Sequence, residues 1–169
     1  VMEGKAAILK SFADVNAFPI CLDTQDTEEI IKAVKQIAPV FGAINLEDIA
    51  APRCFEIEER LRAELSIPVM HDDQWGAGTV SLTAFINATK LRGISKEEAK
   101  VVLSGIGAAG VATARLLFAY GVKHITFCDS KGIIYKDRND LTKEKLELLA
   151  QSVADVKEGT LSDAVKGAH

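Results

Sequence analysis

Two acidic pairs, Glu47-Asp48 and Asp72-Asp73, precede a glycine-rich turn, Gly105-Ile106-Gly107-Ala108-Ala109-Gly110. Carboxylate oxygens are hard donors, and three of them, with water and substrate oxygens, would satisfy the octahedral demand of Mg²⁺ or Mn²⁺. Four clustered carboxylates without a cation would instead raise one another's pKa. The turn suits a dinucleotide, because Val101-Val102-Leu103 leads into it as a strand and a helical pattern follows at once, the context that gives a GxGxxG run its meaning. Gly105 then permits the tight turn and Gly107 lets the backbone approach a pyrophosphate. Ala108 and Ala109 complete the loop, and Gly110 lets the helix pack on the strand with its N-terminus toward the phosphates. Asp129 falls about 20 residues further on, where an acid meets the ribose hydroxyls. Its charge disfavours a 2′-phosphate, so NAD is expected over NADP, and Lys131 nearby keeps NADP open. Together these features point to a divalent metal beside a nicotinamide cofactor.

Plainer uses exist for the same residues. Glu47-Asp48 also suits a loop pair, Asp72 or Asp73 also suits the cap of a following helix, and spacing alone does not choose. A glycine turn also occurs without a ligand. His71, inside His71-Asp72-Asp73-Gln74, reads as a packed strand histidine and is assigned no role; Lys5, after Gly4, reads as a surface lysine.

The elements that must position these residues alternate between strand-like and helix-like. Phe18 to Leu22 reads as a short buried strand. Thr27 can cap a helix with Ile30, Ile31, Val34 and Ile37 at helical spacing until Pro39. Ala43 to Leu46 is a second strand. Pro52 can open a helix with Phe55, Leu61 and Leu65 inward and Glu56, Glu58, Glu59, Arg60 and Arg62 wet. Ile67 to His71 is a third strand, and Gly76 to Arg92 reads as an apolar helix buried between layers and linking two domains, with Gly93 at its C′ position. Strands over Lys100 to Ser104 and Val122 to Asp129 flank a helix from Ala108 to Tyr120, and Leu141 to Val153 is amphipathic. Repeated strand-helix-strand units imply an α/β fold with mainly parallel sheets and helices on both faces. In such sheets ligands bind outside the carboxyl ends of the strands, where both acidic pairs lie.

The bulk properties exclude other classes. A net charge of −4 gives no electrostatic footprint for nucleic acid. No apolar run reaches membrane-span length and the N-terminus carries no signal-peptide pattern, so the expected compartment is the cytoplasm. Cys21, Cys54 and Cys128 are odd in number and far apart, which suits reduced structural thiols rather than a disulfide framework or a zinc site.

The segments Val1-Met2-Glu3-Gly4-Lys5, Ile44-Asn45-Leu46-Glu47-Asp48-Ile49, Cys54-Phe55-Glu56-Ile57-Glu58, His71-Asp72-Asp73-Gln74 and the glycine turn together resemble malic enzyme, particularly its bacterial-type branch, in order along essentially the whole chain. The resemblance implies metal ligands at Glu47, Asp48 and Asp73, a catalytic acidic residue at Asp72 and a general-base lysine at Lys5. It implies cofactor contacts at Gly105, Gly107, Ala108, Ala109, Gly110 and Asp129. The implied reaction is oxidative decarboxylation of malate to pyruvate and carbon dioxide, with Lys5 working as a base of lowered pKa. Residues 1–73 would be the C-terminal part of the catalytic domain and 74–169 the first part of a Rossmann-type NAD-binding domain. A homodimer is expected by family analogy.

Two departures accompany the resemblance. Trp75-Gly76-Ala77-Gly78 stands where the family commonly has a histidine followed by Gly-Thr-Ala. The family's catalytic tyrosine and substrate-binding arginine would precede Val1, and its downstream asparagines would follow His169, so the chain is expected to be an internal segment of a longer enzyme. The competing expectations are a noncatalytic NAD-binding or assembly module, and an NAD-dependent dehydrogenase that uses no metal.

Overall fold

The computed structural model describes residues 1–169 and divides into two units, Val1–Asp72 and Asp73–His169. The first opens with helix α1 (Met2–Ala13), which periodicity did not announce because none of its residues is fully buried. The chain leaves it at Asp14 in the left-handed region, φ 53°. The strand expected over Phe18–Leu22 does not form. Pro19 brings no N–H to a ladder, no strand lies alongside, and Phe18, Ile20 and Leu22 stay exposed, with the Phe18 ring against Phe41 at a centroid distance of 6.1 Å.

Helix α2 (Thr27–Ile37) is capped one residue earlier than expected, by the Asp26 carboxylate accepting from the Glu29 N–H at 2.9 Å. An acid there also complements the helix dipole. A 3-10 turn at Ala38–Val40, with Pro39 inside it, ends the helix. Strand β1 (Ile44–Leu46), helix α3 (Arg53–Glu64) and strand β2 (Val69–His71) follow, with a cis peptide bond at Ala51-Pro52. Strands β1 and β2 pair in parallel, Ile44 against Val69 and Leu46 against His71.

Their core joins Ile30, Ile31 and Val34 of α2, Leu46, Val69, and Ile57 and Leu61 of α3. Two α3 expectations change, at Phe55 and at Glu58. Cys54 and Ile57 are fully buried beside Leu61, whereas Phe55 is only half-buried. Glu58, expected in water, is 5% exposed and accepts the backbone N–H of His71 at 3.1 Å. A two-stranded sheet leaves backbone donors without a strand partner, and a buried N–H must find an acceptor; the Glu58 carboxylate serves.

The division between the units falls at the first residue of helix α4 (Asp72–Arg92). This helix starts directly after β2 and is not the buried element expected: only Gln74 and Gly78 are buried, while Val80 is 66% and Leu91 89% exposed. Trp75, Leu82, Phe85 and Ile86 are half-buried, and the Phe85 ring meets Tyr120 edge-on at a centroid distance of 6.4 Å.

The second unit continues with β3 (Lys100–Ser104), α5 (Ala108–Tyr120), β4 (His124–Asp129), β5 (Gly132–Ile133), α6 (Lys143–Gln151) and α7 (Leu161–Ala164). Strands β3 and β4 are parallel, Ser104 against Cys128, and β5 adds an antiparallel edge that is not expected from the sequence pattern. Helix α4 meets α5 where Gly78 brings its backbone close: a Cβ there would stand 3.0 Å from Leu116 Cδ1 and 3.3 Å from the Ala112 carbonyl carbon. The core of this unit comprises Val111, Ala112, Ala114, Leu117, Val122, Ile125, Phe127, Ile134 and Leu148. No helix of either unit is long and apolar enough to cross a membrane.

Candidate functional site

Because β1 and β2 are parallel and in register, the residues that follow their last paired positions emerge at one edge. Glu47 follows Leu46 there and Asp72 follows His71. Lys5, on α1, joins them: its Nζ donates to Asp72 Oδ2 at 2.5 Å and lies 3.3 Å from Glu47 Oε2. Asn45 Nδ2 donates to the same Glu47 oxygen at 3.0 Å. The Glu47 side chain is 6% exposed, and a carboxylate removed from water to that extent requires a cation or several hydrogen bonds. It has both.

The plainer reading of Lys5 as a surface lysine does not hold, since its side chain is held by two acids. The hydrogen bond to Asp72 raises its pKa above the ordinary lysine value; burial opposes that rise, and the charges of Asp72 and Glu47 add to it. The lowered pKa expected of a base is therefore absent from this arrangement. Asp48 is exposed with φ 58°, a left-handed conformation that aspartate tolerates better than most residues. Asp73 is the second residue of α4 and half-buried.

A cavity of about 810 Å³ lies within the first unit, and Lys5, Asn45, Glu47, Asp48, Arg53 and Asp72 supply much of its polar lining. Arg53 has no sequence signal of a site residue. Its Nη2 donates to Gln25 at 3.1 Å, while its buried Nε has no hydrogen-bond partner. Nothing in the run Pro52-Arg53-Cys54 distinguishes it from a helix-opening charge.

For a metal, the donor chemistry of the first unit is of the right kind, since the carboxylates of Glu47 and Asp48 are the hard oxygens that Mg²⁺ or Mn²⁺ takes. Within each unit no three acidic, histidine or cysteine side chains are gathered into a metal-binding group. The cation that joins Glu47 to Asp72 is the Lys5 ammonium.

In the second unit the glycine turn connects β3 to α5 directly. Gly105 has φ 99° and its N–H donates to the Cys128 carbonyl at 2.8 Å, which ties the turn to the end of β4 beside Asp129. Gly110 admits no side chain, because a Cβ would lie 2.0 Å from the Gly105 carbonyl oxygen. At Gly107 a Cβ would meet nothing within 4 Å, so the turn presents bare backbone to open space. No side chain caps α5, whose first residues are Ala108 and Ala109, leaving N-terminal N–H groups available to an anion. A second cavity, about 370 Å³, borders Gly105, Ala109 and Gly110. These features fit a dinucleotide.

Asp129, the last residue of β4, is not the free acid the sequence suggested. It is clasped by Arg138 at 2.9 Å and Lys145 at 2.8 Å. Burial pushes its carboxyl up, but the hydrogen bonds from Arg138 and Lys145 prevail and hold it well below the usual carboxylate range. Neither cation has a periodic or motif signal; only the turn after β5 and the start of α6 bring them back.

The glycine turn between a parallel strand and a helix marks the second unit as a dehydrogenase-type domain, and the first unit brings acids to the ends of its paired strands. In agreement, residues 71–168 match a family described as Glutamate/Leucine/Phenylalanine/Valine dehydrogenase, and residues 1–62 match one described as Malic enzyme, N-terminal domain. The relatives that span both halves decide between them. An NAD-dependent malic enzyme of Geobacillus stearothermophilus is 54% identical over 99% of this chain, and an NADP-dependent malic enzyme of Haemophilus influenzae is 45% identical over 83%. The crystal structure of an NAD-dependent malic enzyme from Thermotoga maritima superposes with a TM-score of 0.94 and 47% identity over 99% of the chain. The chain belongs to the malic enzyme family. It spans 35% and 19% of the two relatives' lengths and 45% of the structural neighbour's.

Proposed function

We propose that the protein to which this chain contributes catalyses the oxidative decarboxylation of (S)-malate to pyruvate and carbon dioxide with reduction of NAD(P), dependent on Mg²⁺ or Mn²⁺. The observation that carries this reading is the convergence of Lys5 with Glu47 and Asp72, three residues from separate segments and of the types the chemistry requires. Residues 1–73 then contribute to the catalytic domain and 74–169 to a Rossmann-type cofactor domain, in a cytoplasmic homodimer.

Lys5 would take the proton of the malate C2 hydroxyl. In the arrangement seen it is an ammonium held by Asp72, so it must lose a proton before it can act, and any engagement of Glu47 or Asp72 elsewhere would favour that loss. Asp72 orients the Lys5 Nζ and is the nearest acceptor for its proton. Glu47, Asp48 and Asp73 would hold the ion. When bound, the ion would acidify the hydroxyl and polarise the resulting ketone, and the nicotinamide would accept the hydride from C2. The bare backbone at Gly107 and the uncapped start of α5 would receive the pyrophosphate.

The test is malate-dependent formation of reduced nicotinamide by the full-length protein, with and without Mn²⁺. Lys5→Ala should lower kcat by roughly 10²–10⁴-fold, the range for loss of a general acid–base group, with dinucleotide affinity retained. Turnover undiminished by chelation, or by Lys5→Ala, would overturn the mechanism.

A further inference from the structure

Asp129 has no acceptor position to spare. An ionised carboxylate offers about four lone-pair sites. Here Oδ1 accepts from the Lys131 backbone N–H at 2.9 Å and Arg138 Nη1 at 3.0 Å. Oδ2 accepts from Arg138 Nη2 at 2.9 Å and Lys145 Nζ at 2.8 Å. Arg138 also grips Asp140 through Nε and Nη2, both at 2.8 Å, and Lys131 Nζ reaches Asp140 at 2.7 Å. Three cations thus surround two carboxylates at the end of β4, beside the glycine turn. Arg138 and Lys145 are not mobile surface charges, since their side chains are only 8% and 16% exposed.

This arrangement reverses the usual argument from an acid at the ribose position. A lone aspartate repels a 2′-phosphate; this one is outnumbered by the cations around it. A ribose hydroxyl can reach Asp129 only by displacing a charge-assisted hydrogen bond and offering a neutral one in return, whereas a phosphate offers Arg138 and Lys145 a dianionic acceptor in exchange. We infer that Arg138 and Lys145 are cofactor-specificity residues, which let this site take the dinucleotide bearing a 2′-phosphate on its adenosine ribose as well as the one without it. The inference rests on the assignment of the second unit to dinucleotide binding made above.

The experiment is calorimetric titration of the full-length protein with NAD⁺ and with NADP⁺, for the wild type, Arg138→Gln and Lys145→Met. The wild type should bind the two within about tenfold. Each substitution should weaken NADP⁺ by about 10- to 100-fold, as expected for one charged hydrogen bond, while leaving NAD⁺ within about threefold or tightening it as Asp129 is freed. Lys145→Met serves if Arg138→Gln proves unstable, because Lys145 contributes a single bond. A wild type favouring NAD⁺ by more than about 100-fold would overturn the inference alone. So would equal weakening of both cofactors by both substitutions, the behaviour of a clasp that only holds the fold. Absence of binding by either dinucleotide would overturn the cofactor reading of this unit and the inference with it.

Discussion

The two glycines of the turn should fail in different ways. At Gly110 an added methyl lies 2.0 Å from the Gly105 carbonyl oxygen, far inside van der Waals contact, and Gly105 is itself anchored to β4. Gly110→Ala must therefore push the turn away from its helix, an overpacking that costs about 1–3 kcal/mol or more. At Gly107 the methyl meets nothing within 4 Å, and φ is −96°, which any residue adopts. Gly107→Ala costs only a weaker N-cap, on the order of 0.5–1 kcal/mol. With about 2–4 °C per kcal/mol for a chain of this size, Gly110→Ala should lower Tm by roughly 2–12 °C and Gly107→Ala by about 1–4 °C. The order reverses when dinucleotide is added. NAD⁺ at a hundred times its Kd stabilises the wild type by about 2.7 kcal/mol, an upward shift of about 5–11 °C. Gly107→Ala should lose that shift, because its methyl occupies the space a pyrophosphate needs. Thermal unfolding of both variants with and without NAD⁺ reads all of this. A Gly107→Ala protein that keeps the full ligand-induced shift would refute the placement of the pyrophosphate.

Further outcomes concern the supports of the site. Glu58→Ala strips the buried His71 N–H of an acceptor, and urea unfolding should show a loss of at least about 1–3 kcal/mol; an unchanged midpoint would show that the bond contributes nothing. Leu61→Ala, at a fully buried position, should cost about 2–5 kcal/mol in the same assay. For Asp129 the folded pKa lies below that of the unfolded chain, about 3.9, although burial alone would raise it, because Arg138 and Lys145 favour the ionised form. Its stabilisation is therefore complete above about pH 4 and is lost as pH falls through the lowered folded value. Asp129→Asn should be less stable at neutral pH, with a shallower loss of stability below pH 4; parallel acid-unfolding profiles would contradict this.

Much of the second unit was legible. Lys100–Ser104 and Ala108–Tyr120 formed over the expected residues, because a β-branched run, a glycine turn and an alanine-rich helix are each determined by neighbours a few residues away. The failures came where local pattern and tertiary surroundings disagree. Phe18–Leu22 is apolar enough for a strand but has no partner. Gly76–Arg92 is apolar enough for a buried helix but is only partly covered, with Val80 and Leu91 left in solvent. Glu58 looked like one more wet glutamate until a strand N–H required it.

The sequence by itself determined the alternation of strands and helices, the glycine turn and the presence of two acidic pairs at strand ends, all matters of residue type and short spacing. Only the tertiary structure decided what those charges do. That Lys5 is held between Glu47 and Asp72, and that Asp129 is filled by Arg138 and Lys145, depends on parallel pairing and chain reversals that bring distant residues within hydrogen-bond reach. Electrostatic partnership is a function of distance in space, and no local pattern encodes it.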